Sequence, residues 1–174
     1  MAVTQFNLTA GKRAERKLLI TVAEWQEGST QVREILGTRT EDSRIDYNPD
    51  IETTTDILGI NYTDINKTQP QQDFDPFLIL GGSKLGALLN DIRRRNALAE
   101  LNQFNIYVIT VFAGTEGAYE AEKHTGCTIT YNSIGGDTNV NFPISVYYSN
   151  NITNGTVDKL SDDFVFTASS VVGG

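Results

Sequence analysis

Short runs of alternating apolar and polar residues, separated by turn-forming residues, recur along most of this chain. The run FNIYVITVFA at 104–113 is the strongest strand candidate, and RKLLITVAEW at 16–25 places apolar side chains on both of its faces. A period of two residues is typical of β-strands, and a strand that is apolar on both faces is contacted from both sides. Gly28, Pro49 and Gly59 fall between such runs, where they favour turns. The pattern predicts antiparallel strands joined by hairpins.

Other segments have the same β-type composition and are separated by turn residues. They are QQDFDPFLIL (71–80), AYEAEKHTGCTITYNS (118–133), NVNFPISVYYS (139–149), NGTVDKL (154–160) and DFVFTASS (163–170). Pro76 lacks the N–H that a central strand needs, so the segment at 71–80 is expected at a sheet edge or at a bulge.

One segment has a helical period instead. Its apolar residues fall at i, i+3, i+4 and i+7 and form one stripe: Leu85, Leu88, Leu89 and Ile92. Ser83 is a typical N-cap, and the arginines at 93–95 complement the negative end of the helix dipole. The pattern predicts a helix that ends near Asn96, followed by a break, because ALAEL at 97–101 is out of phase with the stripe.

These elements predict a mainly β fold of two packed antiparallel sheets, as a sandwich or a barrel, flanked by one α-helix. A chain of 174 residues is expected to form one domain. Its first residues lack the apolar run of a signal peptide, and no window reaches the roughly 18 apolar residues of a membrane span. The sequence therefore predicts a soluble, intracellular protein.

The negative charge of the chain is concentrated in one segment. The formal net charge is −8, and residues 41–75 carry nine acidic side chains against two basic ones, a local charge of −7. A solvated acidic face is the ordinary explanation for such a cluster. The surplus of acids and the scattered bases disfavour tight binding to DNA, which requires a basic surface.

The sequence GGSKLG at 81–86 matches a phosphate-binding loop only in part. Nucleoside-triphosphate loops need Lys and then Ser or Thr directly after the closing glycine, whereas Ala87 and Leu88 follow Gly86. A dinucleotide fingerprint needs a glycine where Ser83 stands, and it needs a parallel β-α-β unit. We therefore predict a turn into the helix rather than a nucleotide site.

Few residues are candidates for catalysis or metal binding. His124 and Cys127 would point to opposite faces of a regular strand unless Gly126 forms a bulge, so an inert buried thiol is expected. One His and one Cys are too few for structural zinc, and no EF-hand calcium loop occurs. Asp73 and Asp75 share one strand face and are weak candidates for acid–base chemistry. We predict no catalytic residue, no metal site and no cofactor.

The order of the elements is more informative than any of these sites. An acidic hairpin, IETTTDILG…NYTDINKT, precedes the strand QQDFDPF, a glycine turn, a leucine-rich helix ending in arginine, and a β-rich remainder. This combination resembles the major tail tube proteins of long, non-contractile-tailed bacteriophages. The resemblance is closest over residues 41–113 and looser elsewhere.

The resemblance implies a single tail tube domain over residues 1–174, with extended N- and C-terminal arms. It implies a structural virion protein of the phage tail, not an enzyme, assembled in the cytoplasm of the bacterial host. Hexameric rings would stack into a tube that conducts DNA and tape-measure protein during genome delivery. Expected partners are further copies of the chain, tape-measure protein, tail-tip and tail-terminator proteins, and transiting double-stranded DNA without tight binding.

An acidic bore would repel DNA and let it slide, since duplex DNA carries one charge per roughly 1.7 Å and the repulsion acts at short range. We assign this lumen-lining role, as a hypothesis, to Asp50, Glu52, Asp56 and Asp64. The apolar helix stripe is expected to pack against the outer sheet or the seam between subunits. Two alternatives stay open: the inner tube protein of a contractile tail or tailocin, and a small β-barrel hydrolase that uses paired carboxylates.

Overall fold

The computed structural model describes residues 5–169 of the chain. Eleven strands occur in this part: β1 Leu19–Glu27, β2 Thr30–Ile35, β3 Ile45–Asp46, β4 Asp50–Thr55, β5 Asn61–Lys67, β6 Gln71–Phe74, β7 Phe104–Thr115, β8 Ala118–Tyr131, β9 Ile144–Tyr147, β10 Ile152–Val157 and β11 Phe166–Ala168. The α-helix of this part is α1, Lys84–Arg95, and two short 3₁₀ helices lie at Arg16–Leu18 and Leu98–Asn102. No helix among the described residues is long and apolar enough to cross a membrane.

Strand β8 organises the sheets because it takes part in two of them. The first sheet has the strand order β2-β1-β7-β8-β10-β11, and the second runs β8-β9-β6-β3, with antiparallel pairing throughout. Gly126 has a φ of 76° and lies where the register of β8 against β7 shifts. The extra residue forms a bulge in the left-handed conformation that glycine tolerates. Beyond this bulge, β8 pairs with β9 in the second sheet.

The architecture confirms the predicted mainly β fold with two antiparallel sheets and one flanking α-helix. Within residues 5–169 the sheets do not close into a barrel, because β2, β3 and β11 are each paired on one side only. Two predicted strand boundaries were wrong. The chain forms a 3₁₀ helix at Arg16–Leu18 before β1, and the strand in 71–80 ends at Phe74, because Pro76 cannot donate a ladder hydrogen bond.

The main hydrophobic core lies between the two sheets. Both sheets contribute buried side chains, among them Trp25, Phe104, Ile106, Phe74, Ile129, Ile144 and Val146. Trp25 and Phe104 pack edge to face, with ring centroids 6.2 Å apart. Full burial of one large apolar side chain is worth roughly 1.5–3 kcal/mol of transfer free energy, so this core is the main source of stability.

Helix α1 covers one side of the main core. Ser83 is its N-cap, with a hydroxyl that accepts a hydrogen bond from the Gly86 N–H at 3.1 Å, and Asn96 ends it in the left-handed conformation. The predicted start, end and following break of the helix are thus confirmed. The break is the 3₁₀ helix at Leu98–Asn102, which brings Leu101 into the core.

A second, smaller core covers the opposite face of the first sheet. Tyr107 lies at its centre, and the rings of Phe164 and Phe166 pack edge to face against it at centroid distances of 5.0 and 5.4 Å. Phe166 belongs to β11, so this part of the predicted C-terminal arm is paired with β10.

Part of the predicted N-terminal arm lies beside β7. Asn7 donates a backbone hydrogen bond to the Phe112 carbonyl oxygen at 2.9 Å, and the Phe6 ring packs edge to face on the Phe112 ring. Residues 1–4 and 170–174 of the two predicted arms lie outside the described residues.

Candidate functional site

The hairpin formed by β4 and β5 stands apart from both packed sheets. Its strands pair with each other and with no other strand in residues 5–169, and every residue of both strands is exposed. At the base of the hairpin, Gln69 donates a backbone hydrogen bond to the Tyr47 carbonyl oxygen at 2.9 Å. A two-stranded hairpin is marginally stable in water when it packs on nothing. Contacts outside the single chain are therefore the expected source of its stability.

The register of the hairpin gives it two chemically different faces. Directly opposed residues of an antiparallel pair share a face, and the next pair along points the other way. One face carries the pairs Ile51–Ile65 and Thr53–Thr63, and the other carries Glu52–Asp64 and Thr54–Tyr62. The hairpin thus has one isoleucine–threonine face and one acidic face.

The tip of the hairpin is apolar and exposed. Ile57 is 102% exposed, Leu58 78% and Ile60 50%. Exposed apolar side chains that cluster in this way mark contact surfaces more often than isolated ones do. This surface was not predicted from the sequence, where the acids of the hairpin were weighed and the apolar run ILGI at 57–60 was not. Apolar residues around a turn glycine, where polar ones are usual, were the available signal.

Asp56 fixes the conformation of this tip. Its Oδ1 accepts hydrogen bonds from the backbone N–H groups of Leu58 at 2.8 Å and Ile60 at 2.9 Å, and Gly59 has a φ of 77°. The hydrogen bond from the Ile60 N–H is the main cause that lowers the pKa of the Asp56 carboxyl. Burial opposes it, and the hydrogen bonds from Leu58 and Tyr62 lower the pKa further. The turn therefore presents its apolar side chains in one conformation.

The four proposed lumen acids have different surroundings. Glu52 and Asp64 lie opposite each other on the acidic face, whereas Asp50 lies opposite Lys67 at the open end. The Asp56 carboxylate accepts hydrogen bonds from the backbone of the tip turn. Like charges directly opposite each other destabilise a hairpin, so the Glu52–Asp64 pair is costly in the single chain. Their role in lining a bore stays a prediction.

The proposed packing face of the helix lies inside the chain's own core. Leu85, Leu89 and Ile92 are fully buried in the main core, and Leu88 is partly buried against it. The three fully buried side chains have no surface left to offer to a neighbouring subunit.

The N-terminus of α1 is occupied by a carboxylate of the same chain. Glu34 on β2 accepts hydrogen bonds from the backbone N–H groups of Lys84 at 2.6 Å and Leu85 at 2.9 Å, and from the Ser83 hydroxyl at 2.8 Å. A helix N-terminus attracts anions, and here an internal anion takes that place. The glycine turn at 81–82 therefore serves helix docking, in agreement with the rejection of a phosphate loop.

His124 and Cys127 approach each other because of the Gly126 bulge. The Cys127 thiol donates to the His124 backbone carbonyl oxygen at 3.5 Å, while the imidazole contacts the Ser149 carbonyl oxygen and the Glu122 carboxylate. Burial is the main cause that raises the pKa of the Cys127 thiol. A protonated, buried thiol is a poor nucleophile, so this arrangement is structural.

Asp73 and Asp75 are engaged by separate partners. Asp73 accepts a hydrogen bond from the Ser145 hydroxyl at 2.6 Å, and Asp75 accepts one from the Asn141 side-chain amide at 2.9 Å. Among the described residues, no group of three or more His, Cys, Asp or Glu side chains is placed to hold a metal ion. The exposed hairpin is the feature of this part of the chain that its own packing leaves unexplained.

Comparison with known proteins gives structural likenesses only. No family model matches the sequence, and no curated protein matches it. A chain of the PVC sheath–tube complex, an extracellular contractile injection system in its extended state, is 11% identical with a TM-score of 0.46, over 85% of this chain and 95% of that one. A chain of the anti-feeding prophage cap, which terminates the AFP tube, is 14% identical with a TM-score of 0.49, over 90% and 99%.

A chain of the six-fold symmetrised baseplate of the same prophage is 6% identical with a TM-score of 0.45, over 84% of this chain and 97% of that one. TM-scores below 0.5 at such low identity do not establish a shared fold family. The function proposed below therefore rests on the chain's own sequence and geometry.

Proposed function

We propose that this chain is a structural subunit that assembles with copies of itself into the tube of a bacteriophage tail. The observation that carries the proposal is the hairpin over residues 50–67, whose strands are wholly exposed and whose tip is apolar. Its apolar side chains gain roughly 25 cal/mol for each Å² removed from water. A second copy of the chain is the partner that supplies such a contact at every step of an assembly.

The strand edges of the packed sheets suit the same assembly. Strands β2 and β11 end the first sheet and β3 ends the second, so each leaves one backbone edge unpaired within residues 5–169. Pairing of such edges between copies removes them, and a contact between two different surfaces closes into a ring or continues as a filament. Edge contacts within a ring and hairpin contacts between rings would together build a tube.

The finer assignment rests on the sequence resemblance over residues 41–113. On that basis the rings are hexameric, the tail is long and non-contractile, and the tube conducts DNA during genome delivery. The partners are tape-measure, tail-tip and tail-terminator proteins, and the site of action is the virion. A tube protein of a contractile tail would share the assembly but would also bind a sheath on its outer face.

No catalytic role is assigned to Asp73 or Asp75, whose carboxylates accept hydrogen bonds from separate neighbours.

Within a tube, the acidic hairpin face lies either at the bore, as the sequence hypothesis has it, or against a neighbouring copy of the chain. Glu52 and Asp64 lie together on that face, and an acidic wall repels duplex DNA within the roughly 8 Å over which charges act at physiological salt. A reconstruction of the assembled tube tests the assignment directly. If both carboxylates lie on the outer surface of the tube, the bore assignment is wrong.

Assembly of the purified chain tests the proposed function. Electron microscopy and sedimentation velocity are expected to show rings or hollow tubes that increase with protein concentration. The Ile57→Ser and Leu58→Ser double variant should stay folded, because both side chains are exposed, but should assemble poorly. Leu98→Ser, which changes an exposed leucine outside the hairpin, is the matched control and should assemble like the parent chain. A parent chain that stays monomeric at all concentrations would contradict the proposal.

A further inference from the structure

A shallow apolar groove lies beside the N-terminal half of α1. It has a volume of about 390 Å³ and is lined mainly by Ile79, Gly86, Ala87, Asn90, Ile134 and Val140. Ile79, Ile134 and Val140 are all exposed although they are large and apolar. Its volume falls in the range of sites that enclose small ligands.

The walls of the groove are held in place by the fold. Ile79 donates a backbone hydrogen bond to the Val140 carbonyl oxygen at 3.0 Å, and Gly135 donates one to the Asn141 carbonyl oxygen at 3.0 Å. A side chain at Gly86 would meet Ile79 at 3.4 Å and the Ser83 hydroxyl at 3.0 Å, so the glycine allows the helix to lie close to this wall. A preformed site loses little conformational entropy when it is filled.

A larger cavity of about 420 Å³ lies nearby but suits an apolar occupant less well. It is lined partly by Glu34, Lys84 and Asp162. Glu34 bonds to the helix N-terminus, and Lys84 pairs with Asp162 at 3.4 Å. An apolar group placed there would remove these charges from water, which costs free energy. Among residues 5–169, no charged residue lines the groove of Ile79 and Val140, so an apolar group in it avoids this cost.

Cations continue the groove along the helix. Arg94 lies on the same helix stripe as Ala87 and Asn90, and it forms no salt bridge in the described part of the chain. Arg93 donates to the Asn90 side-chain oxygen at 2.9 Å, at the groove margin. The groove therefore has an apolar end beside Gly86 and a basic end beside Arg94.

The hairpin has the complementary arrangement at a similar spacing. From Ile60 at the tip to Asp64 on the acidic face, a strand advances about 14 Å at roughly 3.4 Å per residue. From Gly86 to Arg94, a helix advances about 12 Å at roughly 1.5 Å per residue. An apolar tip seated at Gly86 would bring the Glu52–Asp64 pair to the basic end, where its mutual repulsion is offset.

We propose that the groove beside α1 receives the hairpin tip of a second copy of this chain, with Ile57 and Leu58 in the apolar end and the acidic face over Arg94. This inference rests on the proposed self-assembly and names its receiving surface, and it places Glu52 and Asp64 against a neighbouring copy instead of in the bore. The contact joins two different surfaces, so one copy can give its hairpin and receive another. Hairpin and groove then form a repeating contact that propagates along the assembly.

Site-directed cross-linking tests which surface receives the tip. The chain with Leu58→Cys and Ala87→Cys is assembled and treated with a short bis-maleimide, and a ladder of covalent multimers is expected. Leu58→Cys combined with Ile152→Cys, an exposed position on β10, is the matched control and should give no ladder. Native Cys127 is buried in both chains. Assembled protein that gives no ladder, or the same ladder from both pairs, would overturn the inference.

Charge reversal provides a second readout that needs no cysteine. Arg94→Glu alone and Asp64→Lys alone should each raise the concentration needed for assembly about tenfold, the equivalent of about 1.4 kcal/mol. The two reversals in one chain restore opposite charges at every contact and should return that concentration to within about threefold of the parent value. An effect of the double variant equal to the sum of the two single effects overturns the inference.

The two experiments separate failure of the inference from failure of the proposed function. If the parent chain assembles but cross-linking and charge reversal give the contradicting results, the tip docks elsewhere and the tube proposal stands. If the parent chain forms no assembly, the tube proposal fails and this inference fails with it.

Discussion

Glu24 on β1 and Arg33 on β2 form an ion pair at 2.7 Å, with side chains only 1% and 15% exposed. Asn105 and the Tyr107 hydroxyl on β7 donate to the same carboxylate at 2.9 and 3.0 Å. The Arg33 guanidinium also lies over the Phe164 ring, 4.2 Å from its centroid. One buried carboxylate thus ties three strands of the first sheet to the segment that covers the second core.

Removal of the Glu24 carboxylate should destabilise the chain strongly. Breaking a buried ion pair leaves its partner uncompensated, so Glu24→Ala is expected to lower the free energy of unfolding by about 3 kcal/mol. Urea denaturation of the unassembled chain measures the change. Glu116→Ala, in an exposed turn, is the control and should change it by less than about 0.5 kcal/mol. Equal effects of the two variants would contradict the structural role of the ion pair.

The same carboxylate should contribute to unfolding by acid. Burial raises the pKa of the Glu24 carboxyl. Hydrogen bonds from Asn105, Arg33 and Tyr107, together with the charge of Arg33, lower it by more, so the pKa lies below its ordinary value of 4.5. The unfolded chain then takes up this proton at a higher pH than the folded chain does. The stabilisation by the Glu24 carboxylate is therefore complete above the ordinary pKa, which the unfolded chain has, and is lost as the pH falls through the folded-state pKa.

The variant Glu24→Gln removes this titration. As the pH is lowered from about 6 to about 3, its free energy of unfolding should fall less than that of the parent chain. Urea denaturation across that range measures both. Identical pH slopes for the two chains would show that Glu24 does not titrate with unfolding.

Glu34 should stabilise α1 as an anion at the helix N-terminus. Glu34→Ala leaves the N–H groups of Lys84 and Leu85 without this acceptor and should cost about 1–2 kcal/mol. Thermal unfolding followed by circular dichroism measures the loss. Glu41→Ala, an exposed acid outside the helix contact, is the matched control and should unfold like the parent chain.

Neighbouring leucines of α1 should respond very differently to truncation. Leu89 is fully buried, so Leu89→Ala is expected to cost about 2–5 kcal/mol through lost burial and a residual cavity. Leu88 is only partly buried, so Leu88→Ala should cost less than half as much. Urea denaturation of both variants gives the comparison. A larger loss for Leu88 would mean that the helix packs on a different face.

Asp56 should control assembly through the shape of the hairpin tip. Asp56→Ala removes the acceptor of the Leu58 and Ile60 N–H groups and should raise the concentration needed for assembly, while the stability of the packed sheets is unchanged. The hydrogen bond from Ile60 is the main cause that lowers the pKa of this carboxyl below 3.8. The ordered tip is therefore retained above that pH and lost as the pH falls through the lowered value. Light scattering of parent and variant chains at pH 7 checks the assembly effect.

Local sequence rules predicted the helix well. Ser83, Asn96 and the leucine stripe act within a few residues of one another, so capping and periodicity fix the ends and the buried face of α1 without distant contacts. The acidic hairpin was predicted for a similar reason, because turn residues and alternation are local signals. Its apolar tip was overlooked: the letters ILGI around a turn glycine were a signal, but the exposure of these side chains is a property of the fold.

Contacts distant in sequence decided the rest. Glu34 reaches the start of α1 across about fifty residues, and Gly126 turns β8 from one sheet into the other, which brings Cys127 near the His124 backbone. The groove beside α1 needs Ile79, Ile134 and Val140 together. The sequence by itself determined the strands, the helix and the concentration of acids, because those depend on local periodicity and composition. Only the tertiary structure decided which surfaces stay exposed and which charges are already paired, because burial and pairing depend on residues far apart in the chain.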